Sequence, residues 1–269
     1  LGNPAFNVPD YEPIIEMAHR RGICVMVDNT FGCGGYLFRP IEWGANVVIH
    51  SATKWICGHG TSLGGVVVDG GNFEWSEEKY PLLAAPAESY HGLVYKEVFG
   101  NAAFAGRVRV DGLRNFGPSA SPFNSFLMLQ GLETLSLRAQ RCCDNTLALA
   151  QWLEGHEAIE SVNYPGLKSN PYHTLACKYL QHGFGGVLTF RVKSGFEGAA
   201  ELVSKLELIL HVGSVGDSKS LIVHPASTTH SQLSESERVA AGVYPNMLRL
   251  SVGIENIDDL IYDLDNALK

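Results

Sequence analysis

The chain has 269 residues, 45% of them hydrophobic and 18% charged, enough to bury a real core in one large or two modest domains. Its 28 acidic residues against 20 basic ones leave a formal net charge of −8, which argues against nucleic acid, because a phosphate-binding surface needs clustered Lys and Arg. No stretch approaches the roughly 20 apolar residues of a membrane-spanning helix and no basic-then-apolar leader is visible, so no membrane partner and a cytoplasmic location are expected.

The chain opens at Leu1-Gly2-Asn3-Pro4 without an initiator Met and enters an organised segment at once; it reads as a piece of something longer. Asp10 is placed to cap a helix that tolerates Pro13 in its first turn, with Ile14, Met17 and Ala18 as its apolar face and Gly22 to end it. Ile23-Cys24-Val25-Met26-Val27 follows as a continuous apolar run, the pattern of a strand buried on both faces of a parallel sheet, and stops at Asp28-Asn29-Thr30. A second such run, Asn46-Val47-Val48-Ile49, stops at His50-Ser51-Ala52-Thr53-Lys54, and Val66-Val67-Val68 is a third. This order predicts an α/β sheet covered by helices over residues 1–120.

From Ser121 the texture changes. A long helix is predicted through Phe126, Leu129, Leu132, Leu135 and Ala139 to Trp152-Leu153, with its Phe and Trp residues read as core. Gly186–Val192 and Met247–Val252 alternate like strands with one buried face, and the second sets Arg249 and Ser251 opposite Leu248, Leu250 and Val252. Ile257, Leu260, Ile261, Leu264 and Leu268 give a closing amphipathic helix, with Asp258 and Asp259 suited to the dipole of its first turn. Residues 121–269 are therefore expected to form a linking helix and a smaller α+β domain. The six cysteines, Cys24, Cys33, Cys57, Cys142, Cys143 and Cys177, form no CxxC pair, so zinc and disulfide frameworks read poorly.

In open α/β sheets ligands sit beyond the carboxyl ends of the strands. Asp28 stands at one such end and Lys54 just past another, among Thr30, Ser51, Thr53, Thr61, Ser62 and a run of glycines. Each has an ordinary use: an acid after a strand caps a turn, a loop lysine is solvated, glycines turn. The nucleotide-triphosphate pattern GxxxxGK[ST] is absent, because Lys54 precedes the glycines and is followed by Trp55. As a trio they suit one ligand: a pyridinium nitrogen needs a carboxylate, an aldehyde a lysine, and a phosphate hydroxyls and amides.

Val27-Asp28-Asn29-Thr30-Phe31, His50-Ser51-Ala52-Thr53-Lys54 and Arg249-Leu250-Ser251-Val252-Gly253-Ile254-Glu255 resemble signatures of the Cys/Met-metabolism pyridoxal-phosphate enzymes. Further stretches resemble the O-acetylhomoserine sulfhydrylases: Phe31-Gly32-Cys33-Gly34-Gly35-Tyr36-Leu37, Gly58-His59-Gly60-Thr61-Ser62-Leu63-Gly64-Gly65, Ser121-Pro122-Phe123-Asn124, Gln130-Gly131-Leu132-Glu133-Thr134-Leu135 and His224-Pro225-Ala226-Ser227-Thr228-Thr229-His230. The likeness runs from Leu1 to Lys269. It implies the fold-type I (aminotransferase-like) architecture, mainly parallel with helices on both faces of the sheet. It also implies pyridoxal 5'-phosphate as cofactor, small-molecule substrates and a homotetramer built from dimers.

By the same resemblance Lys54 carries the cofactor and moves protons, Asp28 holds the pyridine nitrogen protonated, and Ser51 and Thr53 bind the phosphate. Asn3 lies near the cofactor's phenolic oxygen and the substrate carboxylate, Arg249 binds that carboxylate, and Ser214 and Thr229 line the same pocket. Many sulfhydrylases carry Asn where this chain has Ser214. No chemistry is assigned to His59, His91, His224 or His230. The implied reaction is γ-replacement, in which O-acetylhomoserine and sulfide or a thiol give homocysteine or methionine and acetate, within methionine biosynthesis. Cystathionine γ-synthase, cystathionine γ-lyase and methionine γ-lyase would use the same apparatus, and a truncated non-catalytic remnant is the non-enzyme alternative. Family members carry about a third of their chain upstream of Asn3, including a Gly-Met turn at the phosphate and a Tyr stacked on the ring.

Overall fold

Asp10 precedes helix α1 (Tyr11–His19), but its carboxylate does not cap it; it accepts instead from the Tyr179 hydroxyl and Lys178 Nζ. These details come from a computed structural model describing residues 1–269. The expected apolar face is rotated. Ile15 is the buried residue of α1, while Ile14 and Met17 are exposed. The helix is held through Tyr11, whose ring lies 4.7 Å from Phe38 and 5.2 Å from Tyr179, and Tyr11 and Ile15 fall on one side at i, i+4 spacing.

Three strands follow: β1 (Met26–Asp28), β2 (Val47–Ser51) and β3 (Gly65–Asp69). β1 runs parallel to β2 in the register Asp28 opposite Ile49, and β3 is antiparallel to β2, so this sheet is mixed. Burial on both faces holds for the central strand, where Val47 and Val48 are enclosed. It does not hold for Met26 or for Val66, Val67 and Val68, each more than a third exposed. In this sheet β2 is the central strand, with β1 and β3 on either side.

The predicted long helix breaks at Thr134 into α2 (Pro122–Glu133) and α3 (Leu135–Glu154). α2 buries only Gly131, whose missing Cβ would lie 2.3 Å from the Ile56 and Cys57 carbonyl oxygens. Its side chains are apolar around most of the circumference, so packing one narrow strip leaves Phe123 and Phe126 exposed. The expectation that these phenylalanines are core is corrected.

The second sheet contains β4 (Ile159–Asn163), β5 (Val187–Val192), β6 (Leu210–His211), β7 (Leu221–Val223) and β8 (Met247–Ser251), in the order β4-β5-β8-β7-β6. Its pairs are antiparallel apart from β6 with β7. α3, α4 (Gly195–Lys205) and α5 (Ile257–Leu268) cover one face, and Leu149, Leu153, Leu188, Phe190, Leu248, Leu250, Leu260 and Leu264 form the centre of the main core. α5 is the amphipathic helix expected, with Asn256 accepting from Asp258 N at its start. β5 does not alternate: Val187 and Thr189 are also buried, because the other face of this sheet meets the first half of the chain. There Phe6, Leu37, Trp55, Cys143, Val187 and Val215 make a second cluster. That cluster is the floor on which the two halves meet. No helix is long and apolar enough to cross a membrane.

Candidate active site

Parallel pairing brings the carboxyl ends of β1 and β2 to the same edge, so Asp28 and Ser51 open side by side. Thr30 ties them together. Its hydroxyl donates to Asp28 Oδ1 at 2.7 Å and accepts from Ser51 N at 2.8 Å, while its own N–H donates to the same Oδ1 at 3.0 Å. The carboxylate is thus aimed by two donors, with Oδ2 left free of them.

Past Ser51 the chain coils into a short turn closed by Cys57 N to Ala52 O at 2.9 Å and Gly58 N to Lys54 O at 2.7 Å. Trp55, 2% exposed, plugs this turn into the second cluster and leaves its neighbour Lys54 facing the cleft. Arg138 of α3 holds the turn from behind, with Nη1 to Trp55 O at 3.0 Å, Nη2 to Gly131 O at 2.5 Å and Nε to Thr134 Oγ1 at 3.1 Å. Gly58 is required here. Its φ of 72° is left-handed and a Cβ would sit 2.0 Å from Arg138 Nη1. Gly58→Ala is therefore expected to cost about 2–3 kcal/mol, from strained backbone plus displaced guanidinium. Urea denaturation would check it, and an unchanged midpoint would mean that Arg138 is not a fixed support.

The loop between β6 and β7 closes the other wall. Lys54 Nζ donates to Ser214 Oγ at 2.7 Å, and Gly216 N donates to the buried Ser251 Oγ at 3.0 Å, which pins the loop to β8. Arg249, two residues before Ser251 on the same face, sends Nη1 to Asn3 Oδ1 at 3.3 Å and Nη2 to the Ser214 carbonyl at 3.4 Å. Both bonds are long, and Arg249 pairs with no carboxylate of the chain. Its fork is free to take one.

Asn3, Asp28, Ser51, Lys54, Ser214 and Arg249 thus line one cleft of about 480 Å³. Burial first, and the Arg249 charge second, hold the Lys54 ammonium below the usual lysine range. The amine accordingly becomes neutral, and nucleophilic, at a lower pH than a surface lysine. In the free protein Lys54 should be labelled by trinitrobenzenesulfonate at lower pH than other lysines, and Arg249→Gln should move its profile upward by removing a like charge. Peptide mapping across pH reads this directly; a Lys54 profile that coincides with the other lysines would refute it.

Two residues named from sequence are not brought into the cleft. Thr53 turns its hydroxyl to Gly64, accepting from its N–H at 3.1 Å, and Thr229 is exposed, its hydroxyl 2.9 Å from His230 Nδ1. His224 is buried between Ser227 Oγ at 2.9 Å and Pro245 O at 2.7 Å, a structural pairing. Conversely, sequence reasoning did not assign roles to Thr30, Arg138 or Ser251. Thr30 and Ser251 stand within two residues of Asp28 and Arg249, the one signal that could have raised them. Nothing local reveals that Arg138 supports the site, because the carbonyl it holds there, that of Trp55, lies 83 residues earlier.

The sequence matches the family described as "Cys/Met metabolism PLP-dependent enzyme" over residues 1–269. It is 52% identical over 268 residues to the O-acetyl-L-homoserine sulfhydrylase 1 of Thermus thermophilus, covering 100% of this chain and 64% of that protein. It is 50% identical over 281 residues to the homocysteine/cysteine synthase of Saccharomyces cerevisiae, covering 100% and 63%. Its fold matches a crystal structure of a putative O-acetylhomoserine (thiol)-lyase from Campylobacter jejuni that holds N'-pyridoxyl-lysine-5'-monophosphate. The TM-score is 0.95 at 41% identity, with 100% of this chain and 64% of that one covered. The chain therefore spans slightly less than two thirds of the length of these relatives.

Proposed function

Because the chain belongs to the Cys/Met metabolism PLP-dependent enzyme family, we propose that it forms the lysine- and arginine-bearing part of an O-acetylhomoserine sulfhydrylase. The reaction is γ-replacement: O-acetylhomoserine and sulfide, or a thiol, become homocysteine, or methionine, and acetate. The observation that carries this reading is the convergence of Lys54, Asp28 and Arg249 on one cleft from three distant parts of the chain.

The donor set fits pyridoxal phosphate. An amine biased toward its neutral form suits an aldehyde, an oriented carboxylate suits a pyridinium, and the Ser51 hydroxyl at the paired strand ends suits a phosphate. Bound there, the cofactor would supply a sink for negative charge at the substrate α-carbon. The chain's own residues do the rest. Arg249 binds the substrate carboxylate through its fork, and Asn3 orients that guanidinium. Lys54 Nζ takes the α-proton, and Ser214 Oγ holds the amine in place while it is free. Asp28 keeps a proton on the ring nitrogen. Ser51 binds the phosphate, while Thr53 shapes the turn that presents Ser51 and Lys54.

We place the division between the cofactor-binding part and the smaller part near Ser121, supported by sheets confined to residues 26–69 and 159–251. A cytoplasmic homotetramer is proposed with it. Six free cysteines agree with a reducing compartment, and the exposed apolar row Phe123, Phe126, Leu129 agrees with a face that meets another subunit. Sedimentation showing only monomer at micromolar concentration would remove the tetramer.

Turnover of O-acetylhomoserine by the full-length protein with sulfide, cysteine and methanethiol tests the function. Preference for sulfide supports the sulfhydrylase. Preference for cysteine would point to cystathionine γ-synthase, turnover without any thiol to a γ-lyase, and failure to bind cofactor at all to a non-catalytic remnant.

A further inference from the structure

Thr189 is 3% exposed, and its hydroxyl makes no hydrogen bond to the protein. It lies directly across from Arg249 in the β5–β8 register, but it does not line the cleft that holds Arg249. It lines a separate cavity of about 290 Å³ with Pro4, Ala5, Ser161, Arg191 and Met247. The strap Asn3-Pro4-Ala5 separates the two spaces. Asn3 meets Arg249 on one side, and Asn163 Nδ2 holds the Ala5 carbonyl at 2.7 Å on the other.

Arg191 is fixed in this second cavity from three directions. Nε donates to Asn246 Oδ1 at 3.0 Å, Nη2 pairs with Glu160 Oε1 at 2.9 Å, and the guanidinium sits 4.4 Å from the centre of the Tyr244 ring. Glu160 is fully engaged, because its Oε2 accepts from Asn246 Nδ2 at 2.6 Å. What remains unused is a set of donors: Arg191 Nη1, the Thr189 hydroxyl and the Ser161 hydroxyl. All three can donate to one anion, and the Pro4, Ala5 and Met247 walls suit a small apolar group attached to it.

We infer that this cavity is a binding site for a small monocarboxylate, distinct from the Arg249 cleft, with Arg191 and Thr189 as its donors. A carboxylate fits better than a bulkier, more highly charged oxyanion, since Glu160 already offsets the Arg191 charge and one guanidinium nitrogen is free. The site does not depend on the reaction proposed above, and its test measures binding alone.

The test is a ¹⁹F NMR titration of the full-length, cofactor-loaded Arg249→Gln protein with trifluoroacetate, competed by acetate and by inorganic phosphate. Removing Arg249 silences the cleft, so saturable broadening displaced by acetate reports the second site. Adding Thr189→Val, nearly isosteric, or Ser161→Ala, at the exposed rim, should weaken this binding about fivefold for one lost hydrogen bond. Adding Arg191→Gln should abolish it. Matched thermal melts establish that each variant is folded, and Ser161→Ala keeps the test open if a β5 substitution disturbs the sheet. No saturable binding in Arg249→Gln, or binding indifferent to Thr189, Ser161 and Arg191, would overturn the inference. Displacement by phosphate as readily as by acetate would overturn the carboxylate assignment.

Discussion

Lys54→Ala, made in the full-length enzyme, is expected to lower kcat/KM by about 10³-fold or more, because it removes the group that would take and return the α-proton. The fold should survive, since the turn around Lys54 is held by Trp55, by backbone bonds from Cys57 and Gly58, and by Arg138, none of which uses the lysine side chain. A second readout separates attachment from turnover. Borohydride reduction of the wild-type enzyme should leave the pyridoxyl mass on the peptide that contains Lys54, and the variant should release the cofactor on denaturation. Lys54→Arg should fail equally, because guanidinium keeps its proton throughout the working range. Wild-type turnover in Lys54→Ala, or the pyridoxyl mass on another lysine, would falsify the central assignment.

Asp28→Asn is expected to lower kcat on the order of 10²–10³-fold while leaving the protein folded and Lys54 still able to carry the cofactor. An amide oxygen can accept from Thr30 N and Thr30 Oγ1 as the carboxylate oxygen does, so the local geometry is retained. What is lost is the negative charge that would keep a proton on the ring nitrogen. The loss should therefore fall on kcat more than on KM, with a thermal melt close to wild type. The pH dependence of the cofactor's visible absorbance should also change. Near-normal kcat would mean that Asp28 only caps the end of β1, the ordinary use of an acid in that position.

The same two residues show what could be read without coordinates. Asp28 and Lys54 each follow an apolar run, and a strand's carboxyl end is a generic ligand position in an α/β sheet, so residue type and place were enough to nominate them. Arg249 and the closing helix were likewise legible, because alternation on β8 and helical spacing in Ile257–Leu268 are local patterns. The face of α1 was misread because Tyr11, meeting Phe38 and Tyr179, decided which side turned inward and took Ile15 with it. A period identifies a helix but not the surface it will find. The strands read as buried on both faces are exposed at Met26 and Val66–Val68, because apolar content does not reveal what packs on each face.

Sequence by itself determined the chemistry available to this protein: a lysine, an acid and an arginine in motifs whose residue types suit one cofactor. Tertiary structure decided which hydroxyls face the cleft. Ser51 and Ser214 face the cleft, whereas Thr53 and Thr229 are spent on Gly64 and His230. It also decided what holds the site in place, through Thr30, Ser251 and a guanidinium on α3 reaching back to Trp55. The physical reason is range. Backbone periodicity and strand ends are set by neighbours in sequence, while a side-chain hydrogen bond goes to whichever partner the packed chain brings within about 3 Å.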